Sequence, residues 1–468
     1  MSSHILFLTG HLAHEPLRRV LGDMGDAGFR WTVHDLGLQV AALMTTDMIA
    51  RRLHDTFGAD RIIVPGRCRG DLDGLSRKLG VPVERGPDEL GDLPEFFGRA
   101  ARRVRLDRHD VLIFAELTDA PRMDVDAIVA AACALAADGA DVIDLGCLPQ
   151  TGFAHLEQAV RALRSRGLHV SVDSQDPGEL ARGARAGADY LLSLHLDTLD
   201  LAFETDAVPV LVPSPGGGLD SLLRAMERLE ARGKAYFADP ILDPLPFGFT
   251  DSLVRYHELR RRAPEAPMLM GTGNISELVE ADTSGMHALL LGIMSELRIG
   301  ALLTTQVSPH CRSAVREIDY ARRLMWAARE LRSLPKALGD GLLGMHHRKP
   351  FVQDEAQIRE FAAGVRDPNF RIQLGPSGIH VYNRDGLRTG TDPFELWPHL
   401  GVGNDASHAF YLGVELARAQ IAWQLGKRYA QDEALRWGCM APAPSDDARD
   451  AQCAPGPTRR RAPEESPS

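Results

Sequence analysis

The sequence is short of several features that would assign it quickly. Its six cysteines are scattered and include no CxxC pair, which reads as a set of reduced intracellular thiols rather than a disulfide framework or a zinc knuckle. No apolar run reaches the roughly 20 residues that a membrane-spanning helix needs, and the start, MSSHILFLTGHL, lacks a basic segment ahead of a cleavable apolar one. A cytoplasmic protein is therefore expected. Positive charge is also in deficit. The net charge of -11 argues against a nucleic-acid scaffold, which needs a basic surface. Around Gly10 there is neither a GxGxxG nor a Walker motif, so this glycine, although placed to offer backbone amides to an anion, does not by itself make a nucleotide site.

What remains is a chain of 468 residues with 44% hydrophobic and 25% charged content, a globular composition too long for one ordinary domain. Residues 1–105 read as a small α/β domain suited to packing or dimerisation. Strands at His4–Thr9, Arg61–Val64 and Val81–Val83 alternate with helical patterns at 15–28, 46–57 and 71–79. Residues 106–335 have a more regular rhythm, in which eight apolar strands are each followed by a helix or a polar connection. This predicts a (β/α)₈ barrel rather than an open doubly wound sheet. Residues 336–442 read as a C-terminal α+β domain with a hairpin around Gly375-Pro376 and a long helix over Ala406–Ala430. Residues 443–468, rich in Pro, Ser, Glu and Arg, are expected to be disordered. The adjacent His346 and His347 lack a third ligand, and no metal-ligand set is assigned.

In such barrels the chemistry sits where strands end. That rule selects Glu116, Thr118 and Asp119 after the first strand, Asp144 and Gln150 around the second, Asp173 after the third, and Ser193 and His195 around the fourth. It continues with Ser214, with Asp239 and Asp243 in AYFADPILDPLPFGF, with Asn274, and with Thr304, Thr305 and Gln306. The face is acidic, and ionised carboxylates suit the N–H groups of a flat polar heterocycle better than a bare phosphate. One carboxyl kept neutral by burial could also carry a proton. Structural roles compete at each position. Asp239 and Asp243 begin Asp-Pro turns, Asp173 precedes a helix start, Asp144 could satisfy backbone amides, and His195 could be a hydrogen-bonded structural histidine.

Several of these stretches together resemble the pterin-binding barrels of the dihydropteroate synthases. They are GADVIDLG at Gly139–Gly146, VSVDS at Val170–Ser174, AGAD at Ala186–Asp189, and ADPILDP followed by Gly248-Phe249. The resemblance covers residues 107–310. It implies that Asp173 and Asp239 hold the pterin through its pyrimidine nitrogens and that Ser193 stands where the family has an asparagine. The departures are Glu116-Leu117-Thr118-Asp119 for the family's Asn-Val-Thr-Pro-Asp-Ser loop, Gly271–Ser276 for its Ser-Arg-Lys, and Thr304-Thr305-Gln306 for its Arg-x-His. In those places the chain looks more like the pterin-dependent methyltransferases, in which the counterpart of Asn274 contacts the pterin, although no corrinoid-binding domain is evident.

With its flanking domains, the whole chain resembles the dihydropteroate synthase-like proteins associated with tetrahydromethanopterin biosynthesis. The resemblance implies condensation of a dihydropterin methyl diphosphate with an arylamine, ribofuranosylaminobenzene phosphate, with Mg²⁺ as a possible charge partner. Pterin is then a substrate, and Asp173, Asp239 and Asn274 are catalytic. Glu116, Asp119, Asp144, Ser193, His195, Asp243 and Gln306 are substrate-binding, and Arg122 or His310 would meet a phosphate. A methyltransferase and a non-catalytic pterin-binding protein are the alternatives. A homodimer is expected, with neither nucleic acid nor membrane as partner.

Overall fold

The computed structural model describes residues 3–25, 28–88, 90–98, 105–148 and 151–442. The chain forms two compact units, one of residues 1–109 with 323–339 and the other of 110–322 with 340–468.

In the first unit four parallel strands, β1 (Ser3–Thr9), β2 (Phe29–Asp35), β3 (Arg61–Val64) and β4 (Val83–Arg85), lie in the order β2-β1-β3-β4. Alternation along β1 sends Leu6 and Leu8 into one core with Met44, Ile49 and Ile62. Ile5 and Phe7 enter another with Leu17, Leu21 and Ile63. Periodicity does not reveal β2, because this edge strand reads FRWTVHD and lacks an apolar run. The helix expected over 46–57 ends at Arg52, and the one expected over 15–28 spans His11–Asp23. Gly10 has a packing reason. A Cβ there would come within 2.6 Å of the Leu38 carbonyl oxygen and 2.8 Å of the Ala41 nitrogen.

The second unit contains the (β/α)₈ barrel. Its strands are β5 (Leu112–Leu117), β6 (Val142–Gly146), β7 (His169–Asp173), β8 (Tyr190–Leu194), β9 (Val208–Leu211), β10 (Phe237–Ala238), β11 (Leu269–Gly271) and β12 (Ala301–Thr305). All are parallel, in the order β10-β9-β8-β7-β6-β5-β12-β11, and a bridge between Ala238 and Met268 closes the ring. Strand β10 is only two residues long because Pro240, Pro244 and Pro246 follow it and have no N–H for a ladder. Helices of 10–17 residues follow most strands; the connection after β8 holds one turn, Leu201–Glu204.

Two Gly-Ala-Asp sequences do the same structural work at the bottom of the barrel. Gly139 and Gly187 stop their helices at φ 117° and φ 102°. Two residues later Asp141 accepts a hydrogen bond from Ile113 N at 2.8 Å, and Asp189 accepts one from Val170 N at 2.9 Å. Each aspartate thus ties the start of its own strand to the neighbouring one.

Residues 340–442 of the same unit form an antiparallel sheet of β13 (Arg371–Gly375), β14 (Gly378–Asn383) and β15 (Gly386–Gly390). Helix Ala406–Leu425 covers it through Leu412, Leu416 and Ala419. The third strand, GLRTG, is mostly exposed and has no hydrophobic alternation to announce it. His346 and His347 serve packing: His346 Nδ1 meets the Leu425 carbonyl at 2.6 Å, and His347 Nδ1 accepts from Arg428 N at 3.3 Å.

Candidate ligand site at the barrel mouth

The site follows from strand alternation. Leu112, Phe114, Val142, Tyr190, Leu192, Phe237, Leu269, Ala301 and Leu303 fill the barrel interior as one cluster. Phe114 lies 4.9 Å from Tyr190 and 6.4 Å from Phe237, ring centre to ring centre. Two residues further along each strand the same inward direction falls on Glu116 in β5, Asp144 in β6 and Asp239 after β10, with Asp173 inward at the end of β7. An apolar, aromatic floor therefore carries four carboxyl groups at its upper edge.

Register sets their relations. Glu116 pairs with Asp144, Asp144 with Ser171, and Gly146 with Asp173. Asp144 is fully buried and receives Ser171 Oγ at 2.5 Å, while its Oδ2 has no partner. Asp173 Oδ1 receives Ser193 Oγ at 2.9 Å. Ser193 reaches it from a left-handed backbone, φ 68°, where the β8–β9 register shifts between Leu191 and Leu194. Such a bulge re-aims a side chain at a strand end. Asp239 Oδ1 accepts from Tyr256 Oη at 2.6 Å and from Ile241 N at 2.7 Å. Glu116 closes over Gly146, where a Cβ would sit 2.5 Å from Glu116 Oε1 and displace the carboxyl group.

Burial over this floor disfavours the charged forms. It is the main cause that raises Glu116 to about 7, with Asp173 adding like-charge repulsion. Burial also raises Asp239 to about 6, against the opposing hydrogen bonds from Tyr256 and Ile241. Asp144 is pushed well up, first by burial and then by Asp173 and Glu116. Asp173 is raised by burial and partly restored by Ser193.

The other sequence-selected residues fall into different settings. Asn274 lies on the turn after β11 and donates to the Leu242 carbonyl at 2.7 Å, which ties its loop to the one after β10. Asp243 is held by Arg255 at 2.8 Å and packs against Gly248. Asp119 is exposed at the rim, 3.4 Å from Arg122. Gln306 accepts from Val315 N at 2.9 Å in the helix after β12. His195 lies within its own turn, where its N–H donates to Thr198 Oγ1 and its Nδ1 faces Asp197. Thr305 Oγ1 reaches the Glu116 carbonyl at 3.4 Å, whereas Thr304 Oγ1 and Ser214 Oγ are buried without partners. His310 Nε2 meets the Ser276 carbonyl at 3.1 Å. Gln150 lies outside the described residues. Sequence reasoning missed Tyr256, the buried phenol that orients Asp239. It sits mid-helix in SLVRYHEL, where nothing marks it as different from a core aromatic.

Among the described residues, no three of His, Cys, Asp and Glu are grouped to hold a metal ion. No helix of the described residues is long and apolar enough to cross a membrane.

Fold and site together define a (β/α)₈ barrel with an acidic face, one carboxyl group fully buried and three partly buried, at the C-terminal ends of its strands. Residues 3–88 match the model of a family of unknown function (DUF6513). An uncharacterized protein of Methanocaldococcus jannaschii is 24% identical over 524 aligned positions, which cover 92% of this chain and 98% of that one. Among solved structures, a dihydropteroate synthase of Coxiella burnetii in complex with pteroic acid is 15% identical at a TM-score of 0.39, covering 49% of this chain and 97% of that one. A Yersinia pestis dihydropteroate synthase with a sulfonamide drug complex is 18% identical at 0.38, covering 48% and 96%.

Proposed function

We propose that the chain is a pterin-binding transferase of dihydropteroate synthase-like kind, acting in the cytoplasm as a homodimer. The reaction is condensation of a dihydropterin methyl diphosphate with an arylamine, and the sequence resemblance points to ribofuranosylaminobenzene phosphate and tetrahydromethanopterin biosynthesis. One observation supports this reading above others. Asp173 and Asp239 face inward over an aromatic floor, and neutral donors occupy Oδ1 of each. Neither Oδ2 takes a hydrogen bond from the described residues, so each can accept one N–H of a flat heterocycle. The amine nitrogen of the second substrate would attack the pterin methylene carbon as the carbon–oxygen bond to diphosphate breaks, and the amine proton would pass to a carboxylate of the face. Asn274 would meet the ligand from the loop after β11.

A second reading, pterin-dependent methyl transfer, is favoured by a different observation. Among the described residues, no lysine or arginine is paired with Glu116, Asp144, Asp173 or Asp239, and Arg255, which acts on Asp239, is already engaged by Asp243. Departure of a methyl group from a reduced pterin calls for a proton rather than an anion site, and Glu116 and Asp239 hold protons up to about 7 and about 6.

Calorimetry with 6-hydroxymethyl-7,8-dihydropterin tests the shared step. Asp173→Asn and Asp239→Asn are each expected to weaken binding by more than about 1 kcal/mol, and unchanged binding in both rejects the site. Diphosphate release with the arylamine supports condensation. Methyl transfer from a methylated tetrahydropterin to a corrinoid acceptor, without diphosphate release, supports the second reading. Tight binding with neither turnover leaves a pterin-binding protein.

A further inference from the structure

Glu116, Asp144 and Asp173 stand on the adjacent strands β5, β6 and β7, all facing inward, and among the described residues no cation pairs with them. Among the described residues, their side chains accept hydrogen bonds only from neutral hydroxyls, Ser171 on Asp144 and Ser193 on Asp173. Glu116 takes no hydrogen bond from the described residues. Its carboxyl group lies across Gly146, where a Cβ would meet Oε1 at 2.5 Å, and Gly146 is the residue paired with Asp173. Glu116 thus bridges two strands toward Asp173. Between them the fully buried Asp144 keeps Oδ2 without any partner.

The surrounding elements supply one further carboxyl, Asp239 after β10, which Asp173 repels. They also supply one cation, Arg255, whose effect is on Asp239 and which is bound to Asp243. Thr305, from β12, offers only a hydroxyl, and that hydroxyl reaches the Glu116 carbonyl. One fully buried and two partly buried carboxyl groups, with no counter-ion among the described residues, do not all ionise together. They retain protons until a ligand brings positive charge or N–H donors to replace them.

Resting on the reading that this face holds a nitrogen heterocycle, we infer that Glu116, Asp144 and Asp173 form a proton-sharing group that gives up a proton when a donor-rich heterocycle binds. Glu116 is the residue that sets the pH dependence of binding around neutrality, above the more acidic range in which Asp239 titrates. Only an O–H bond breaks: the proton passes from a carboxyl group to solvent or buffer, its electron pair stays on the oxygen, and the N–H edge of the ligand takes the proton's place. Glu116 is then a specificity-determining residue, which selects ligands with adjacent N–H donors or a positive charge and disfavours anionic ones at the same spot. The elevation of Glu116 to about 7, caused by burial and by Asp173, puts this exchange near neutral pH.

The test is isothermal calorimetry of the full chain with 6-hydroxymethyl-7,8-dihydropterin in buffers of low and high ionisation enthalpy. Wild type is expected to release about half a proton from Glu116 at pH 7 and to gain about fourfold in affinity from pH 6.5 to pH 8. Glu116→Gln is expected to lose both effects. Buffer-independent heats in wild type, or an unchanged pH slope in the variant, overturn the inference. Infrared spectra of the ligand-free wild type provide a second measurement that needs neither the variant nor the ligand. A protonated-carboxyl band present at neutral pH and lost as pH rises through about 7 supports the shared proton, and its absence overturns it. If the dihydropterin does not bind but the band is present, the pterin reading fails and the proton-sharing group stands.

Discussion

Ser193 holds Asp173 from a backbone conformation that a serine seldom adopts: its Oγ is 2.9 Å from Asp173 Oδ1, and its φ is 68°. Left-handed geometry in a non-glycine residue costs on the order of 1–3 kcal/mol and persists where the surroundings enforce it. Ser193→Gly is therefore expected to raise thermal stability by about 1 kcal/mol while weakening pterin binding, because Asp173 loses its donor. Ser193→Ala keeps the strain and loses the bond, so it is expected to lower affinity with no gain in stability. Denaturant melts paired with calorimetry check both variants. A glycine variant that binds as well as wild type would sever Ser193 from the site.

The Tyr256 hydroxyl, 2.6 Å from Asp239 Oδ1, favours the ionised carboxylate and offsets part of the burial that raises Asp239 to about 6. Tyr256→Phe removes that donor, so the Asp239 pKa is expected to rise by about one unit. Binding to the carboxylate is lost as pH falls through this pKa, and the acid limb of the affinity profile should accordingly move to higher pH. Binding measured from pH 5 to pH 8 checks the direction. A limb that stays in place shows that Asp239 is not the group that titrates.

The fold was legible because its signals are local. Apolar strands and glycine-stopped helices repeat along the barrel, and the strand ends named Glu116, Asp144, Asp173 and Asp239 before any geometry was known. What could not be read depends on neighbours distant in sequence. That Glu116 closes over Gly146, thirty positions later, and that Asp243 is engaged by Arg255 on the next helix both depend on the fold. The bulge that turns Ser193 toward Asp173 leaves no mark in the sequence YLLSL. The family-like motifs also divide by function. The Gly-Ala-Asp halves build the bottom of the barrel, whereas Asp144 of VIDLG, Asp173 of VSVDS and Asp239, the first aspartate of ADPILDP, reach the acidic face at its mouth. Edge strands β2 and β15 escaped notice because polar residues interrupt them.

Glu116 also makes stability depend on pH. Its folded pKa, about 7, lies above the ordinary 4.5 of glutamate, so the folded state binds more protons than the unfolded chain between these values. Its contribution is favourable while the carboxyl is protonated and is lost as pH rises from about 4.5 through about 7. Glu116→Gln fixes the neutral form and is expected to stabilise the protein by roughly 1–3 kcal/mol at pH 8, with little change at pH 4. Urea unfolding at the two pH values measures this difference. An equal effect at both would mean that the side chain acts through packing rather than charge.

Arg322 offers the opposite case, a buried charge with every partner in place at the far end of the barrel. It is 2% exposed, and it donates to the Val111 carbonyl at 2.6 Å and the Gly139 carbonyl at 3.1 Å. It also pairs with Asp141 and, at 2.6 Å, with Asp319. These contacts fasten its helix to the starts of β5 and β6. Removing the guanidinium takes a donor from each of these carboxylates and carbonyls, so Arg322→Met is expected to cost about 3–5 kcal/mol. The ligand face lies at the other ends of the same strands and shares none of these bonds. The fraction that remains folded is therefore expected to bind the dihydropterin with wild-type affinity. Chemical denaturation and calorimetry on the same sample measure the two quantities, and an affinity loss in that folded fraction would show that the bottom of the barrel positions the carboxyl groups at its mouth.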